Sequence, residues 1–183
     1  MTEGPDGDSE AIRIEAIDDA QAFVAAIPGL ATVTVDAVES GSGVNFLDGA
    51  TEAETGAWWA ARTERVADGT ITVFVARDGD RIVGSTLLER STNPNSPHRA
   101  EIGKVIVLRS YRRRGLGAAL MDAAEARARA DGRWLLLLDT VEGSAAEAMY
   151  RALGWTAFGV VPNHALLPDG TPWPTTYFWK DLR

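Results

Sequence analysis

The residues best suited to chemistry lie between positions 105 and 120, where an apolar stretch runs through a basic turn into an alanine-rich segment. Arg112, Arg113 and Arg114 precede the run Gly115-Leu116-Gly117-Ala118. Glycines let a backbone approach a ligand closely, and the unpaired N–H groups at a helix start attract anions. Arginines beside such a start add charge-assisted bonds to phosphate oxygens. This combination predicts a site for a pyrophosphate group.

The basic turn has to be compared with known phosphate-binding patterns. A P-loop is excluded because the sequence contains no G-x-x-x-x-G-K-[ST]. A Rossmann-type dinucleotide site would use Gly115 and Gly117, with Asp139 near the distance expected of a ribose contact. Against it, Leu120 stands at the third glycine position, and charged residues separate the strand from Gly115. The alternative to a phosphate site is that the glycines and the solvated arginines stand next to each other by chance and bind no ligand.

The basic turn needs a strand before it and a helix after it, and the flanking patterns predict both. Residues 101–108 are expected to form the strand, and residues 115–131 a helix with its apolar positions in register. Alternating apolar and polar residues on both sides of Asp78-Gly79 predict a β-hairpin of residues 71–76 and 81–89. The apolar run 135–138 is typical of a strand covered on both faces.

The remaining elements are assigned from start and stop signals. Ser144 and Glu147 form an S-x-x-E pattern that opens a short helix, which Gly154 closes. The last strands are expected at residues 155–161 and 175–180, and a loop at 91–99. Towards the N-terminus we expect helices at 16–27, ended by Pro28-Gly29, and at 51–68, whereas 32–38 suits a strand or a helix. Residues 1–10 are expected to be a disordered tail, and 11–183 one domain.

Composition narrows the function classes. A net charge of −8 disfavours a general nucleic-acid binder, although the local cations Lys104, Arg109 and Arg112 to Arg114 suit a specific anionic ligand. The chain has no cysteine, and its two histidines are far apart, so no metal site is expected. No apolar run of about 20 residues and no secretory signal were identified, so we expect no membrane partner and a cytoplasmic location.

Two motifs resemble those of the GNAT acetyltransferase superfamily. Residues 112–117 fit its [RQ]-x-x-G-x-[GA] signature, and residues 146–155 (AEAMYRALGW) are similar to its second motif, a helix with a tyrosine before a glycine-aromatic pair. The resemblance covers roughly residues 70 to 180. It implies an α/β fold of the α+β type, with a mixed, mostly antiparallel central sheet and helices on both faces.

The resemblance also implies acetyl-CoA as co-substrate. The strand containing Val105, Ile106 and Val107 would splay from its neighbour, and acetyl-CoA would lie in the opening. Amides of Val105 and Val107 would pair with the pantetheine arm and steady the developing oxyanion. The stretch Arg112, Arg113, Arg114, Gly115, Leu116, Gly117 and Ala118 would wrap the pyrophosphate, with Ser144 as a further contact unless it only caps its helix.

Attack of an amine on a thioester requires a base for the amine and a proton for the leaving thiolate. Tyr150 matches the residue that usually serves as the acid in the superfamily. The alternative is that its ring only buries apolar surface on an amphipathic helix. Glu101 and Asp139, at ends of central strands, are the candidate bases. The alternative for Glu101 is a solvated charge at the start of a strand, and the alternative for Asp139 is a carboxylate that caps a helix or braces a loop. Trp58, Trp59, Asn45 and Phe46 are candidates for the acceptor pocket, with core packing as the alternative for the two tryptophans.

The sequence therefore predicts an acetyl-CoA-dependent N-acetyltransferase that acts on the primary amine of a small molecule. An amino acid-like toxin or antibiotic is the leading acceptor, with aminoglycosides, polyamines and protein N-termini also open. A Rossmann-type NAD(P) enzyme and a non-catalytic acetyl-CoA-binding module are the alternatives. A homodimer is a further expectation.

Overall fold

Seven strands form one sheet in the order β1-β2-β3-β4-β5-β7-β6 in the computed structural model, which describes residues 11–183. The tail expected at residues 1–10 lies outside the described residues. The strands are β1 (Arg13–Ile17), β2 (Ile71–Asp78), β3 (Arg81–Arg90), β4 (Arg99–Val107), β5 (Leu135–Val141), β6 (Thr156–Leu166) and β7 (Pro172–Asp181).

Only β4 and β5 pair in parallel, and every other neighbouring pair is antiparallel. The predicted mixed, mostly antiparallel sheet is therefore confirmed. A Rossmann-type fold needs a mostly parallel sheet with a helix at each crossover, so that alternative is wrong.

The helices are α1 (Ala20–Glu39), α2 (Glu52–Ala60), α3 (Thr63–Ala67), α4 (Leu116–Ala130) and α5 (Ala145–Ala152), and a short 3-10 turn spans Arg109–Tyr111. They lie on both faces of the sheet, as predicted. The side chain of Asp19 caps α1, Thr51 caps α2 and Ser144 caps α5. Each cap accepts a bond from a first-turn N–H that would otherwise lack a partner.

The predicted end of the first helix at Pro28-Gly29 is wrong. Residues 13–17 form strand β1, and α1 continues through Pro28 to Glu39. A helix-interior proline costs roughly 3 kcal/mol because it lacks a donor and crowds the preceding turn. Here Phe23, Leu30 and Val33 are fully buried on both sides of the proline, and each large apolar side chain contributes about 1.5–3 kcal/mol on burial. Tertiary packing therefore outweighs the local cost.

Gly29 serves packing rather than helix termination. A Cβ at this position would lie 3.0 Å from Cδ1 of Ile82, so the glycine lets α1 approach β3 closely. By length and composition α1 could also cross a membrane, which corrects the expectation that no such run exists. Within the described fold it is a core helix, since it contributes eight buried residues to the interior.

The predicted single helix over residues 51–68 is two helices, α2 and α3, separated at Ala61 and Arg62. The break follows from side chains that bond the last carbonyls of α2: Arg62 Nη1 donates to the carbonyl of Trp58 (2.5 Å), and Thr63 Oγ1 donates to that of Ala60 (2.8 Å). The hairpin, α4, α5 and the last strands lie where the sequence predicts them, with β6 and β7 longer than expected.

Candidate active site

Strands β4 and β5 diverge halfway along their length. Their pairing is limited to three residue pairs and ends where Glu101 faces Leu137. Beyond that point β4 pairs only with β3, and β5 only with β7. We call the resulting opening the β4–β5 gap. It matches the splayed strand that the sequence resemblance implies.

Backbone donors of β4 face this gap. The Leu108 N–H donates to the Val83 carbonyl on β3 (2.9 Å), and Ile106 is paired with Ser85 on the same strand. Because backbone directions alternate along a strand, the amides of Val105 and Val107 point the other way, into the gap. The family resemblance implies that these two amides bind the pantetheine arm.

Helix α4 begins beside the gap with no side-chain cap. Its N-cap, Gly115, has a left-handed backbone (φ 80°), and the first turn contains no acidic residue. Helices α1, α2 and α5 each have a side-chain cap. Among the helices of eight or more residues in the range 11–183, only α4 has no side-chain cap for its first N–H groups. Uncapped amides at the positive end of a helix dipole form an anion site.

The arginines of the basic turn differ in their partners. Arg109 donates to Asp36 (2.5 Å) and Glu39 (2.6 Å) on α1, so its charge is already used inside the fold. Arg112 also has protein partners, the carbonyl of Val107 (2.9 Å) and the hydroxyl of Ser40 (2.5 Å). Arg112 therefore fixes the end of β4.

Two arginines of the turn remain at the surface. Arg114 donates to the Ser110 carbonyl (3.0 Å) and packs over the Tyr111 ring. The exposed Arg113 has a left-handed backbone (φ 63°), and no side-chain bond to it is found within the described chain. Arg113 is thus the guanidinium best placed to meet an anion.

The two glycines of the turn have separate roles. Gly115 needs its positive φ, and a Cβ there would meet nothing within 4 Å. Gly117 allows close packing of α4 on α5, because a Cβ there would lie 2.9 Å from Sδ of Met149. The sequence interpretation, in which both glycines serve close approach to a ligand, is therefore incomplete for Gly117.

Tyr150 is a buried phenol on α5, with only 4% of its surface exposed. Its ring packs near Phe178 and Trp155, and its hydroxyl has no hydrogen-bond partner within residues 11–183. Burial raises the pKa of Tyr150, and the negative charge of Asp139 raises it further. The hydroxyl therefore stays protonated at neutral pH and can donate a hydrogen bond.

Asp139 lies on β5 just past the last β4–β5 pair, opposite Tyr177 on β7. The negative charge of Asp139 raises the pKa values of Lys104, Tyr150 and Tyr177. The exposed Glu101 lies earlier along β4 and also raises the pKa of Tyr177, after burial and Asp139. The two candidate bases are thus brought to one region.

Ser144 has a structural function. Its hydroxyl accepts a bond from the Glu147 N–H (3.1 Å), and it lies 3.3 Å from the hydroxyl of Thr140. The carboxylate of Glu147 reaches back to the N–H of Gly143 (2.5 Å). Capping therefore accounts for the S-x-x-E pattern.

Of the four pocket candidates, three lie together and one does not. Trp59 is fully buried in the core, where its Nε1 donates to Thr34 (3.0 Å). Trp58 is half-buried and packs against Phe46, while Asn45 accepts a bond from Lys104 (2.7 Å). Adjacent tryptophans on a helix point in directions about 100° apart, so they cannot share one environment.

Sequence reasoning missed Arg62, Tyr177 and His164. Arg62 lies over the ring of Trp58, and the Tyr177 hydroxyl lies 2.6 Å from Nε2 of His164. Alternation along the last strand would have put Tyr177 on the face of Trp179, but no local signal pairs it with His164. No group of three or more metal-ligating side chains is found in the part of the chain that the structure describes.

Comparisons with known proteins agree with this architecture. A family model described as the acetyltransferase (GNAT) family matches residues 43–155, more than half of the chain. The fold is similar to an N-acetyltransferase from Staphylococcus aureus Mu50 (TM-score 0.77, 16% identity, covering 95% of this chain and 100% of that chain).

Two further structures show the same fold. One is a phosphinothricin acetyltransferase from Sinorhizobium meliloti in complex with acetyl-CoA (TM-score 0.75, 18% identity, 93% and 88% covered). The other is a ribosomal-protein-alanine N-acetyltransferase from Brucella melitensis (TM-score 0.70, 23% identity, 94% and 99% covered). With the family model, these comparisons show that the chain belongs to the GNAT family and is an acetyl-CoA-dependent N-acetyltransferase.

Proposed function

We propose that this enzyme acetylates the primary amine of a small molecule within the β4–β5 gap. The observation that carries the proposal is the end of β4–β5 pairing at Glu101, which leaves the amides of Val105 and Val107 facing an opening. In support, Asp139 lies on β5 two residues past the last β4–β5 pair, and its charge raises the pKa of the buried Tyr150 phenol. Backbone donors, a carboxylate and a protonated phenol are the groups that acetyl transfer from a thioester to an amine requires.

Acetyl-CoA fits the residues present. Its pantetheine arm would add to β4 like a strand, through the backbone of Val105 and Val107, whereas the backbone of Ile106, predicted with them, pairs with Ser85 on β3. Its pyrophosphate would meet the uncapped amides of Leu116, Gly117 and Ala118 at the start of α4. Gly115 sets the turn that exposes these amides, and Arg113 and Arg114 add charge-assisted bonds. Arg112 stabilises the turn through its bonds to Val107 and Ser40. Ser144 caps the start of α5, and we assign it no contact with the ligand.

The chemistry is a direct transfer in a ternary complex. Asp139 takes a proton from the acceptor ammonium, directly or through water, with Glu101 as the alternative base. The neutral nitrogen attacks the thioester carbon, and an N–H of Val105 or Val107 stabilises the oxyanion. The carbon–sulfur bond then breaks, and the phenol of Tyr150 donates a hydrogen bond or its proton to the sulfur. The acylated nitrogen loses its remaining extra proton through water to the resulting thiolate or phenolate.

For the acceptor we propose an amino acid-like toxin or antibiotic, with detoxification as the role. Several stretches resemble the tabtoxin resistance protein, an acetyltransferase that inactivates a β-lactam amino-acid toxin: HRAEIGKVIVL, LLLLDTVEGSAAEAMY and PDGTPWPTTYF. The structural likeness to a phosphinothricin acetyltransferase points the same way. A cytoplasmic location and a homodimer stay predictions, which cell fractionation and sedimentation equilibrium test.

The test is acetyl-CoA-dependent thiol release with a panel of primary amines: amino acids, spermidine, kanamycin and short peptides with free N-termini. We expect turnover with one or more small amino acids or their analogues, and a higher melting temperature with acetyl-CoA. Turnover confined to peptides would contradict the small-molecule acceptor. A melting shift with acetyl-CoA but no turnover with any amine would contradict the proposed acceptor class.

A further inference from the structure

Two cations, Arg62 and Lys104, contact the ring of one tryptophan, Trp58. The guanidinium carbon of Arg62 lies 3.1 Å from the centroid of the Trp58 ring, and Nζ of Lys104 lies 4.5 Å from it. Cation–π contacts of this kind stabilise each charge. They do not neutralise it, so the local charge stays positive.

Neither cation has a carboxylate partner. Nζ of Lys104 donates to the neutral amide oxygen of Asn45 (2.7 Å), and Arg62 Nη1 donates to a backbone carbonyl. No ion pair within 4.0 Å joins either cation to an acidic side chain of residues 11–183, whereas Arg65, three residues from Arg62, pairs with Glu89 at 2.7 Å. The chain has a net charge of −8, so acidic side chains outnumber basic ones, and yet neither Arg62 nor Lys104 forms an ion pair with one in the described part of the chain.

The positive charge is kept there at a cost. Burial lowers the pKa of Lys104 to about 8, the charge of Arg62 lowers it as well, and Asp139 only partly offsets both. Burial also lowers the pKa of Arg62, against the opposing influence of Glu89. Such cations gain most from a counter-charge, because an uncompensated buried charge is expensive.

The backbone that carries these groups is strained. Lys104 (φ 53°), Asn45 (φ 78°) and Val44 (φ 38°) all have left-handed conformations, which for a β-branched residue such as valine is a genuine outlier. Lys104 also lies in a bulge of β4, where the register against β3 shifts between Ser85 and Leu87. Strain and bulges that re-aim side chains concentrate at functional sites.

The cations lie next to the reaction site. Lys104 immediately precedes Val105, whose amide faces the gap, and Asp139 lies on the facing strand, so both residues follow the last β4–β5 pair, Glu101 and Leu137. A molecule with its amine at Asp139 would therefore extend along the gap towards Lys104. Trp58 and Arg62 are half-buried, and Asn45 is exposed, so this region is open to a ligand.

We propose that Lys104, Arg62 and Asn45 form a subsite for the carboxylate of the acceptor, with Trp58 as its floor. The acceptor is then a zwitterion of amino-acid type, with its amine at Asp139 and its carboxylate at the two cations. Polycations such as polyamines and aminoglycosides are disfavoured by the same charges. This inference rests on the proposed small-molecule acetyl transfer and names the group that selects the substrate.

The experiment compares each of the twenty N-acetyl-L-amino acids with its carboxamide as a ligand of the enzyme–CoA complex, by thermal melting and Trp fluorescence. These products lack the amine but keep the carboxylate. We expect at least one N-acetyl amino acid to bind ten-fold or more tightly than its amide. Lys104→Met and Arg62→Met should each remove most of that preference, and Lys104→Arg should keep part of it. Arg65→Met, which removes a cation already paired with Glu89, is the matched control and should keep the preference.

Three outcomes would overturn the subsite. One is that no N-acetyl amino acid binds better than its amide, and another is that Lys104→Met and Arg65→Met behave alike. The third is that Lys104→Met slows thiol release equally for amino acids and for amines without a carboxylate, which would make Lys104 a general base. Failure of the proposed function is distinct, because then no amine supports thiol release in the unmodified enzyme.

Discussion

Nε1 of Trp155 donates a hydrogen bond to Oε1 of Glu125 across 3.0 Å, which joins the glycine-aromatic pair of the second motif to helix α4. Both residues are buried, with 4% of each exposed. Glu125 also accepts two bonds from Nζ of Lys180 (2.8 Å each), and the same ammonium donates to the carbonyl of Leu153 at the end of α5. The Glu125 carboxylate and the Lys180 ammonium thus join α4, the end of α5 and β7.

Replacement of Glu125 by alanine is expected to destabilise the fold by about 3–5 kcal/mol, because it leaves the buried Trp155 N–H without a partner and the half-buried Lys180 ammonium with the Leu153 carbonyl alone. Urea unfolding measures the change. Asp122, exposed on the same helix, provides the control, since Asp122→Ala should stay within about 0.5 kcal/mol. Equal effects of the two substitutions would show that the buried network contributes nothing.

Tyr150→Phe is expected to lower kcat by about 10- to 100-fold, since it removes the hydroxyl that we propose as the proton donor to the sulfur. The KM for acetyl-CoA and the melting temperature should change little, because the ring still packs against Phe178. Steady-state kinetics and thermal melting measure both. Tyr150→Ala separates packing from chemistry and should lower stability by about 3–5 kcal/mol. An unchanged kcat in the phenylalanine variant would mean that Tyr150 serves packing alone.

Gly115 is required for its backbone conformation rather than for space, since φ is 80° and a Cβ would meet nothing within 4 Å. Gly115→Ala should therefore cost about 1–2 kcal/mol of stability and weaken acetyl-CoA binding by misplacing the first turn of α4. Gly115→Asn should recover much of both, because asparagine tolerates the left-handed region. Titration of acetyl-CoA by calorimetry is the measurement. Equal losses in the two variants would indicate that the ligand needs the bare backbone.

The sequence predicts well what short stretches determine. The strand, turn and helix of residues 99–130, the capping by Ser144 and the hairpin at Asp78-Gly79 depend on local patterns, and the structure has them where expected. The course of α1 through Pro28 could not be predicted, because long-range burial decides it. The cluster of Asn45, Arg62 and Lys104 could not be predicted for the same reason, because these residues come from three separate segments that only the fold brings together.

Arg109 and Arg113 belong to the same basic turn but should respond differently to replacement. Arg109→Ala breaks bonds to Asp36 and Glu39 and should lower the melting temperature by about 2–4 °C, with no change in acetyl-CoA affinity. Arg113→Ala should leave the melting temperature unchanged and weaken acetyl-CoA binding about 3- to 10-fold, an effect that fades at high salt. Melting and calorimetric titration at two salt concentrations distinguish them, and the reverse pattern would exchange their roles.

The pH dependence of stability tests how strongly the fold desolvates Lys104. Its pKa is lowered from the ordinary 10.5 to about 8, so between these values the unfolded chain binds more protons than the folded one. Stability from this group therefore rises with pH across that window, and the cost of the buried charge is fully present below pH 8.

Lys104→Met removes this contribution. The variant should be more stable than the unmodified protein at pH 7, by on the order of 1–2 kcal/mol after allowance for partial exposure, and the advantage should shrink towards pH 10. Urea unfolding of both proteins at pH 7, 8, 9 and 10 measures the difference, from which all other titrating groups cancel. If the difference in free energy of unfolding between the two proteins stays constant from pH 7 to pH 10, Lys104 keeps its ordinary pKa, because its ammonium group then loses no proton on folding. The ammonium charge of Lys104 would then be solvated in the folded protein, and it would gain little from a bound carboxylate.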